Sequence, residues 1–353
     1  MRRAGVTVGV VSVRSASGLR RAIASAHPRV VILDSIAFGA AAGVMEPIGA
    51  RVIALVHMRL AGPAARAVVS RADRTIAVST SLRRQLRALG ARRVTIIAPG
   101  RDAIPRVGGK RVASGALRAI SVANWSRVKG IDTVLAALRR VPGVRVTFAG
   151  DRTGGHARQL ERRARALGGR VRLVGSVGAA QLARLYRDAD VAIVASRTEG
   201  YATASAEAIA QGIPVIASDI AGVRATLGSA ALFVRPSDVR ALARALERMH
   251  DPRVRRRLAA AASRRAASLP RWRDTERAFV SLVEAELQHS VGGGDRMPPR
   301  GVKSPKRKRQ YEKIKKSEIS RGRSTKTAKR IAAATTNKTR RKKGETKGSR
   351  KRS

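Results

Sequence analysis

Residues 191–217 read VAIVASRTEGYATASAEAIAQGIPVIA and combine two patterns. The valine-rich run at 191–194 predicts a fully buried strand, and the alanine-rich segment after Gly200 predicts a helix that ends at Gly212. Glu199 is therefore expected on the loop that leaves the strand, and Glu207 on the helix that follows. Open α/β sheets bind ligands at this end of their strands. Because two carboxylates at this spacing are by themselves ordinary surface charge, their meaning depends on the rest of the chain.

The overall composition is strongly basic. The 353 residues include 74 Lys and Arg against 23 acids, giving a formal net charge of +51, and 44% are hydrophobic. This length and apolar content predict about two or three domains with true cores. The charge predicts an anionic partner such as nucleic acid, an anionic membrane or a phosphorylated ligand.

Cysteine is absent, which excludes disulfides, a thiol nucleophile and thiolate zinc sites. The five histidines have no ligand spacing, so neither a metal nor a cofactor is predicted. No apolar run approaches the ~18 residues of a membrane-spanning helix. We interpret Thr7–Val13 as a first buried strand rather than a signal peptide, and expect a cytoplasmic protein that could lie peripherally at the inner face of the membrane.

Lysine use divides the chain. Residues 1–296 contain two lysines, Lys110 and Lys129, whereas residues 297–353 contain thirteen. A lysine retained in an arginine-rich segment suggests that Lys129 is needed as a compact ammonium, although Lys110 shows that chance lysines occur. The glycines at 292–294 predict a junction before Met297.

The tail, residues 297–353, has 23 Lys and Arg against three acids. It is expected to be largely disordered around two short helices, Arg307–Lys316 and Ser324–Ala334. Its charge predicts non-specific nucleic-acid binding that weakens as salt rises. The segments PPRG at 298–301, KRQYE at 308–312 and the run 328–338 resemble small bacterial proteins labelled as plasmid-stabilisation proteins.

The N-terminal half alternates short Val/Ile-rich runs with helical or loop stretches, which predicts a parallel sheet covered on both faces. Ser79 is expected to cap a helix that ends near Gly90, and Pro105–Ser114 is a predicted interdomain linker. His57 follows a strand and could face a cleft, but a partly buried histidine bonded to backbone is the favoured interpretation. The predicted strands here are Thr7–Val13, Val30–Leu33, Arg51–Val56, Thr75–Val78 and Val94–Ile97.

The second half continues the alternation. Arg127 and Lys129 lie on a loop that enters a predicted helix, where side-chain charges and backbone N–H groups can hold a phosphate. A single basic loop is weak evidence for such a site. The predicted strands are Leu117–Val122, Arg145–Phe148, Val171–Val174, Val191–Val194, Val215–Ala217 and Ala231–Val234.

An ordered series of short motifs accompanies these elements: NWSRVKG at 124–130, FAGD at 148–151, GSV at 175–177, LYRDAD at 185–190, SRTEG at 196–200, Glu207-Ala208, GIPV at 212–215 and Gly222. In this order and spacing they resemble the retaining GT-B glycosyltransferases of family 4 over most of residues 75–285. The resemblance implies an α/β fold of two Rossmann-like domains that face a cleft. The expected divisions are an N-terminal acceptor-side domain at 1–107, a nucleotide-sugar domain at 108–290 with a return helix after Trp272, and the basic tail at 291–353.

The resemblance also implies roles for individual residues. Lys129 and Arg127 would neutralise the diphosphate of a nucleotide-sugar donor, Glu207 would bind ribose hydroxyls, and Glu199 would hold the transferred sugar. His57 matches a family histidine near that sugar. The remaining donor-binding residues implied are Gly200, Tyr201, Ala202, Asn124, Gly130, Gly150 and Val177. Asp188 and Asp190 are similar to the Asp-x-Asp metal motif of other glycosyltransferases, but in this family they match a structural position at the end of a helix. No obligatory metal is therefore expected.

Three departures from the family pattern bear on activity. Asn124 stands where the family usually has arginine, and Tyr201-Ala202 stands where Phe-Gly is commoner. If Thr7–Val13 is the family's second strand, its opening strand and glycine-rich loop are missing. Sugar transfer with retention is the leading hypothesis. The alternatives are a catalytically weak or inactive fold that binds nucleic acid or anionic membrane through its tail, and a fusion of two unrelated proteins.

Overall fold

The computed structural model describes residues 7–45, 49–101, 115–293, 305–321 and 325–342. The chain divides into two compact units, Met1–Leu287 and Gln288–Ser353. The first unit contains two parallel sheets on either side of the predicted domain boundary at 107/108. That boundary and the predicted linker Pro105–Ser114 lie outside the described residues.

The first sheet has four parallel strands in the order β1-β2-β3-β4. Its strands are β1 Val30–Asp34, β2 Arg51–Val56, β3 Arg74–Ala77 and β4 Val94–Ile96, and its helices are α1 Ala16–Ala26, α2 Phe38–Ala41, α3 Gly62–Arg71 and α4 Thr80–Ala88. As predicted, Ser79 caps α4, where its hydroxyl accepts from the Leu82 amide at 3.3 Å. The central strands are nearly inaccessible because helices cover both faces.

The second sheet has six parallel strands in the order β10-β9-β8-β5-β6-β7. Its strands are β5 Leu117–Val122, β6 Val144–Ala149, β7 Val171–Leu173, β8 Val191–Val194, β9 Val215–Ser218 and β10 Ala231–Val234. Its helices are α5 Ile131–Leu138, α6 Gly155–Arg165, α7 Ala179–Arg187, α8 Thr203–Ala210, α9 Ala221–Leu227, α10 Val239–Arg248, α11 Pro252–Ala267 and α12 Trp272–Gly293. Strand order reverses between β5 and β8, which makes that crevice the expected ligand site. The predicted α/β fold with parallel sheets is confirmed.

The first predicted strand is wrong. Residues 7–13 form no strand, and Val8, Val10 and Val11 are 55%, 94% and 62% exposed. The β-branched pattern was the whole basis of the prediction. A strand also needs a neighbour that completes its hydrogen-bond ladder, and residues 7–13 pair with no strand of the described sheets.

Helix α12 is fixed to the first sheet by a buried carboxylate. Glu286, with a side chain 1% exposed, accepts from Arg51 at 2.5 and 3.1 Å and from Arg74 at 2.9 and 3.0 Å. Both arginines begin strands, β2 and β3, so the cluster lies at the end of the sheet opposite its ligand-binding edge. Val283 on the same helix packs with Ile53 and Ile76 of those strands.

The second unit contains two helices, α13 Pro305–Ser320 and α14 Thr325–Lys342. The side-chain amide of Gln310 donates to the Thr339 hydroxyl at 3.2 Å, and Tyr311, Ala328 and Ala332 are buried. Both helices extend beyond their predicted bounds, while the motif at 298–301 and the end of the 292–294 glycine junction lie outside the described residues. No helix in the described part of the chain has the length and apolarity needed to cross a bilayer.

Candidate active site

A cavity of about 100 Å³ opens at the reversal of strand order in the second sheet. Its wall is formed by the carboxyl ends of β5 and β8, by Lys129, and by the loop from β8 into α8. The lining residues are Ser121, Val122, Ala123, Lys129, Ile193, Val194, Ala195, Ser196, Glu199, Tyr201, Ala202, Thr203 and Ala204. Four of the residues proposed from the sequence therefore meet here: Lys129, Glu199, Tyr201 and Ala202.

Lys129 and Glu199 form an ion pair in this cavity. The Lys129 Nζ lies 2.5 Å from Glu199 Oε1, which also accepts from the Ser196 hydroxyl at 2.8 Å. Their side chains are 28% and 13% exposed. An ammonium has three donors, so Lys129 keeps N–H groups for a further anion beside the one given to Glu199.

A glycine brings the lysine to this position. Lys129 ends a short 3₁₀ turn, Arg127–Lys129, and the next residue, Gly130, has φ +64°. A Cβ added to Gly130 would lie 2.0 Å from the carbonyl oxygen of Ala195, just beyond β8. The basic turn can therefore approach the β8 loop only because residue 130 has no side chain.

Arg197 was missed as a functional candidate, yet it joins the two loops that bear the ion pair. Its backbone amide donates to the Val128 carbonyl at 2.7 Å, and its guanidinium donates to the Arg127 carbonyl, to Asp132 Oδ2 at 2.7 Å and to Ser237 Oγ at 2.9 Å. Burial is the largest single influence on Asp132 and raises its pKa, but the hydrogen bond and charge of Arg197, together with backbone N–H groups of the first turn, outweigh it, so the net pKa is lowered. Arg197 thus holds the Arg127–Lys129 turn against the Glu199 loop.

Glu207 lies on α8 but does not line the cavity. Its Oε2 accepts from the hydroxyl of Tyr186 at 3.2 Å. Burial, together with the charge of Glu207, raises the pKa of Tyr186 well above its usual value, so the phenol stays a donor. The assigned contact of Glu207 with ribose hydroxyls stays a prediction.

His57 follows β2 as predicted, and its Nδ1 lies 3.3 Å from Ser35 Oγ and 3.4 Å from Asp34 Oδ2. Its ring is 37% exposed and contacts these two side chains, whereas the interpretation favoured from sequence was a histidine bonded to backbone. Its own carbonyl oxygen would lie 2.1 Å from a Cβ added to Gly200. This close approach brings the β2 loop of the first sheet against the β8 loop of the second.

The remaining candidates take supporting positions. Arg127 and Asn124 are exposed, and Asn124 Oδ1 accepts from the Asp151 amide at 3.2 Å. Gly150 has φ +140°, and a Cβ added to it would lie 2.2 Å from the carbonyl oxygen of Ala123. The absence of a side chain therefore lets the two backbone segments lie close together. Val177 is partly buried and packs against the hydrophobic core of the second sheet. Their roles in donor binding stay predictions.

Asp190 of the metal-like Asp-Ala-Asp sequence has a structural contact. It accepts from the Arg118 amide at 3.0 Å and from the Arg118 guanidinium at 3.1 and 3.0 Å, at the start of β5. Among the described residues, no three His, Asp or Glu side chains are grouped to hold a metal ion.

Substituting Gly200 with alanine should test the contact between the two loops. The added methyl would meet the His57 carbonyl at 2.1 Å and Leu82 Cδ1 at 3.0 Å. Overpacking of this kind costs about 1–3 kcal/mol, so we expect a lower thermal unfolding midpoint by circular dichroism. Gly39→Ala is the matched control, because nothing lies within 4 Å of its Cβ and it sits in a helix. Equal midpoints for both variants would contradict the contact.

Comparison with known proteins finds relatives over most of the first unit. Residues 117–251 match the family model described as glycosyl transferases group 1. The chain is 28% identical over 242 residues to glycogen synthase of Mycobacterium tuberculosis, and 31% identical over 261 residues to D-inositol 3-phosphate glycosyltransferase of Geodermatophilus obscurus. These matches cover 65% and 66% of the chain and 57% of each relative. The chain thus spans little more than half the length of these relatives.

Solved structures share the fold. Sucrose-phosphate synthase from Thermosynechococcus elongatus superposes with a TM-score of 0.68 at 23% identity, over 76% of each chain. Anabaena HepE in complex with UDP gives 0.66 at 17% identity, over 76% of this chain and 82% of HepE. The predicted GT-B architecture is confirmed by these likenesses. Over residues 117–251 the chain is thus similar in sequence to the glycosyl transferases of group 1.

Proposed function

We propose that this protein transfers a sugar from a nucleoside-diphosphate donor to an acceptor hydroxyl with retention of configuration. The observation that supports this most directly is the Lys129–Glu199 pair inside a cavity at the carboxyl ends of β5 and β8. A cation beside a carboxylate suits a donor whose diphosphate is anionic and whose sugar offers hydroxyl donors. The family match over this sheet supports the same reaction class.

The proposed division of labour follows the charges. Lys129, with Arg127 of the same turn, stabilises negative charge that builds on the departing diphosphate. Glu199 accepts from sugar hydroxyls, with the Gly200 backbone beside it, and Glu207 accepts from ribose. The bond from the anomeric carbon to the diphosphate breaks, and the acceptor oxygen bonds to that carbon on the same face. The acceptor proton passes to the departing phosphate oxygen, so no side-chain nucleophile is required.

UDP-glucose is the first donor to test, since HepE has been crystallised with UDP and with UDP-glucose. We expect calorimetry with UDP, GDP and ADP to detect binding of at least one nucleotide. We also expect NMR of the product to give the anomeric configuration of the donor. An inverted product would overturn retention. Failure of every nucleotide to bind would favour the alternative of a fold without transferase activity, whose tail binds an anionic surface.

The same proposal includes a basic tail, a cytoplasmic location, a lipid-linked acceptor at the membrane and independence from metal ions. Lys129 and Arg127 support the independence from metal ions, because they place positive charge where other transferases use a cation. Nucleic-acid binding by residues 297–353 stays a prediction from composition.

A further inference from the structure

A second cavity, of about 80 Å³ and open to solvent, lies between the two sheets of the first unit. One wall comes from the first sheet's side, with Arg59, Ser81 and Gln85. The other comes from the second, with Arg197, Glu199 and Ile220. Glu199 lines this cavity and the first one. A molecule bound here would therefore lie next to the carboxylate proposed to hold the transferred sugar.

The charges around this second cavity do not cancel. Arg197 is paired with Asp132 at 2.7 Å, and Glu199 is paired with Lys129 at 2.5 Å. Arg59 has no ion-pair partner among the residues that the structure describes. The net charge that the lining presents is consequently positive, and it comes from Arg59.

The segment with Arg59 is held in place by the first domain. Gln85 on α4 makes a two-point contact with the backbone of Leu60, donating to its carbonyl at 2.8 Å and accepting from its amide at 3.4 Å. The same loop begins at His57, whose carbonyl abuts Gly200. Arg59, which lines the second cavity, is thus attached to a fixed backbone.

We infer that the second cavity is the acceptor site and that Arg59 selects acceptors bearing an anionic group, with a phosphate ester as the best fit. This inference rests on the proposed function, because it needs a donor sugar beside Glu199. A guanidinium binds phosphate through two parallel charge-assisted hydrogen bonds, whereas a neutral sugar offers it only single acceptors. The acceptor hydroxyl would then face Glu199 while its phosphate remains at the cleft mouth.

The test compares Arg59→Ala with Arg66→Ala, a matched loss of one exposed arginine on α3 that lines neither cavity. Three readouts are measured: UDP-glucose hydrolysis by water, transfer to hexose 6-phosphates, and transfer to the same hexoses without phosphate. Hydrogen bonds to charged groups contribute about 1.5–3 kcal/mol, so Arg59→Ala should lower kcat/KM for the phosphorylated acceptors about 10–100-fold. Donor hydrolysis and the Arg66→Ala variant should match the wild type.

Equal use of phosphorylated and neutral hexoses by the wild type would overturn the inference, as would an Arg59→Ala variant that keeps its preference for phosphate. If the wild type neither binds nor hydrolyses any donor, the proposed function fails by itself. Calorimetric titration of hexose 6-phosphate into the wild type and into Arg59→Ala then tests the anion site independently of sugar transfer. Binding that is about 10-fold or more weaker in Arg59→Ala retains the anion site, and equal or absent binding rejects it.

Discussion

Replacing Lys129 with alanine is expected to lower kcat/KM for sugar transfer about 10²–10³-fold, the usual loss when one preorganised charge-stabilising group is removed. Lys129 is the cationic residue that lines the first cavity, and its ammonium lies 2.5 Å from Glu199. Without it, charge on the departing diphosphate is unbalanced and Glu199 loses one of two contacts. Steady-state kinetics with a donor panel measures the effect.

Two further variants make that result specific. Lys129→Arg keeps the charge but replaces a compact ammonium with a longer planar group, so we expect intermediate activity. Arg127→Ala should lower activity less than Lys129→Ala does. The Arg127 side chain is exposed, and the contact that Arg197 makes with this residue is to its backbone carbonyl, which the substitution leaves in place. Wild-type turnover by Lys129→Ala would reject the assigned role. Lys129→Ala should fold normally, since Glu199 keeps the hydrogen bond from the Ser196 hydroxyl at 2.8 Å.

The strands show which parts of a fold can be read from local pattern. The runs that predicted β2, β5, β8 and β10 match the observed strands residue for residue. Each run is rich in apolar residues and is paired within a sheet, so pattern and burial favour the same structure. Residues 7–13 have the same pattern and form no strand, because pairing is a property of the neighbours and does not appear in the segment's own sequence.

The candidate site, too, was only partly predictable from the sequence. The expectation that Lys129 and Glu199 share one location rested on ordered motifs 70 residues apart, and the structure pairs them directly. Arg197 was overlooked because its partners, Asp132 and Ser237, lie 65 and 40 residues away in sequence. In a chain with so many arginines, one more beside Glu199 gives no signal of its own. The local sequence hinted at the role of Arg197 only through its surroundings, with Gly130 before α5 and Asp132 in the first turn of that helix.

The second large effect is expected at Glu286, far from both cavities. Glu286→Ala should lower the free energy of unfolding by about 3 kcal/mol, the lower end of the range for breaking a buried ion pair. The lower end applies because Arg51 and Arg74 are 27% and 26% exposed and can partly rehydrate. For a unit of this size the thermal midpoint should fall by about 6–12 °C. Glu284→Ala, two residues earlier on α12, is the matched control.

The pH dependence of the same cluster gives an independent check. Burial is the largest single influence and raises the pKa of Glu286, but the hydrogen bonds and charges of Arg51 and Arg74 together outweigh it, so the folded-state pKa lies below the ordinary 4.5. A lowered pKa means that the carboxylate's contribution is complete above pH 4.5 and is lost as the pH falls through the folded value. The difference in unfolding free energy between the wild type and Glu286→Gln should therefore be constant from pH 7 to about 5 and shrink below 4.5. Denaturant titrations at these pH values measure it, and a difference that grows on acidification would mean that Glu286 is not held as a carboxylate by the two arginines.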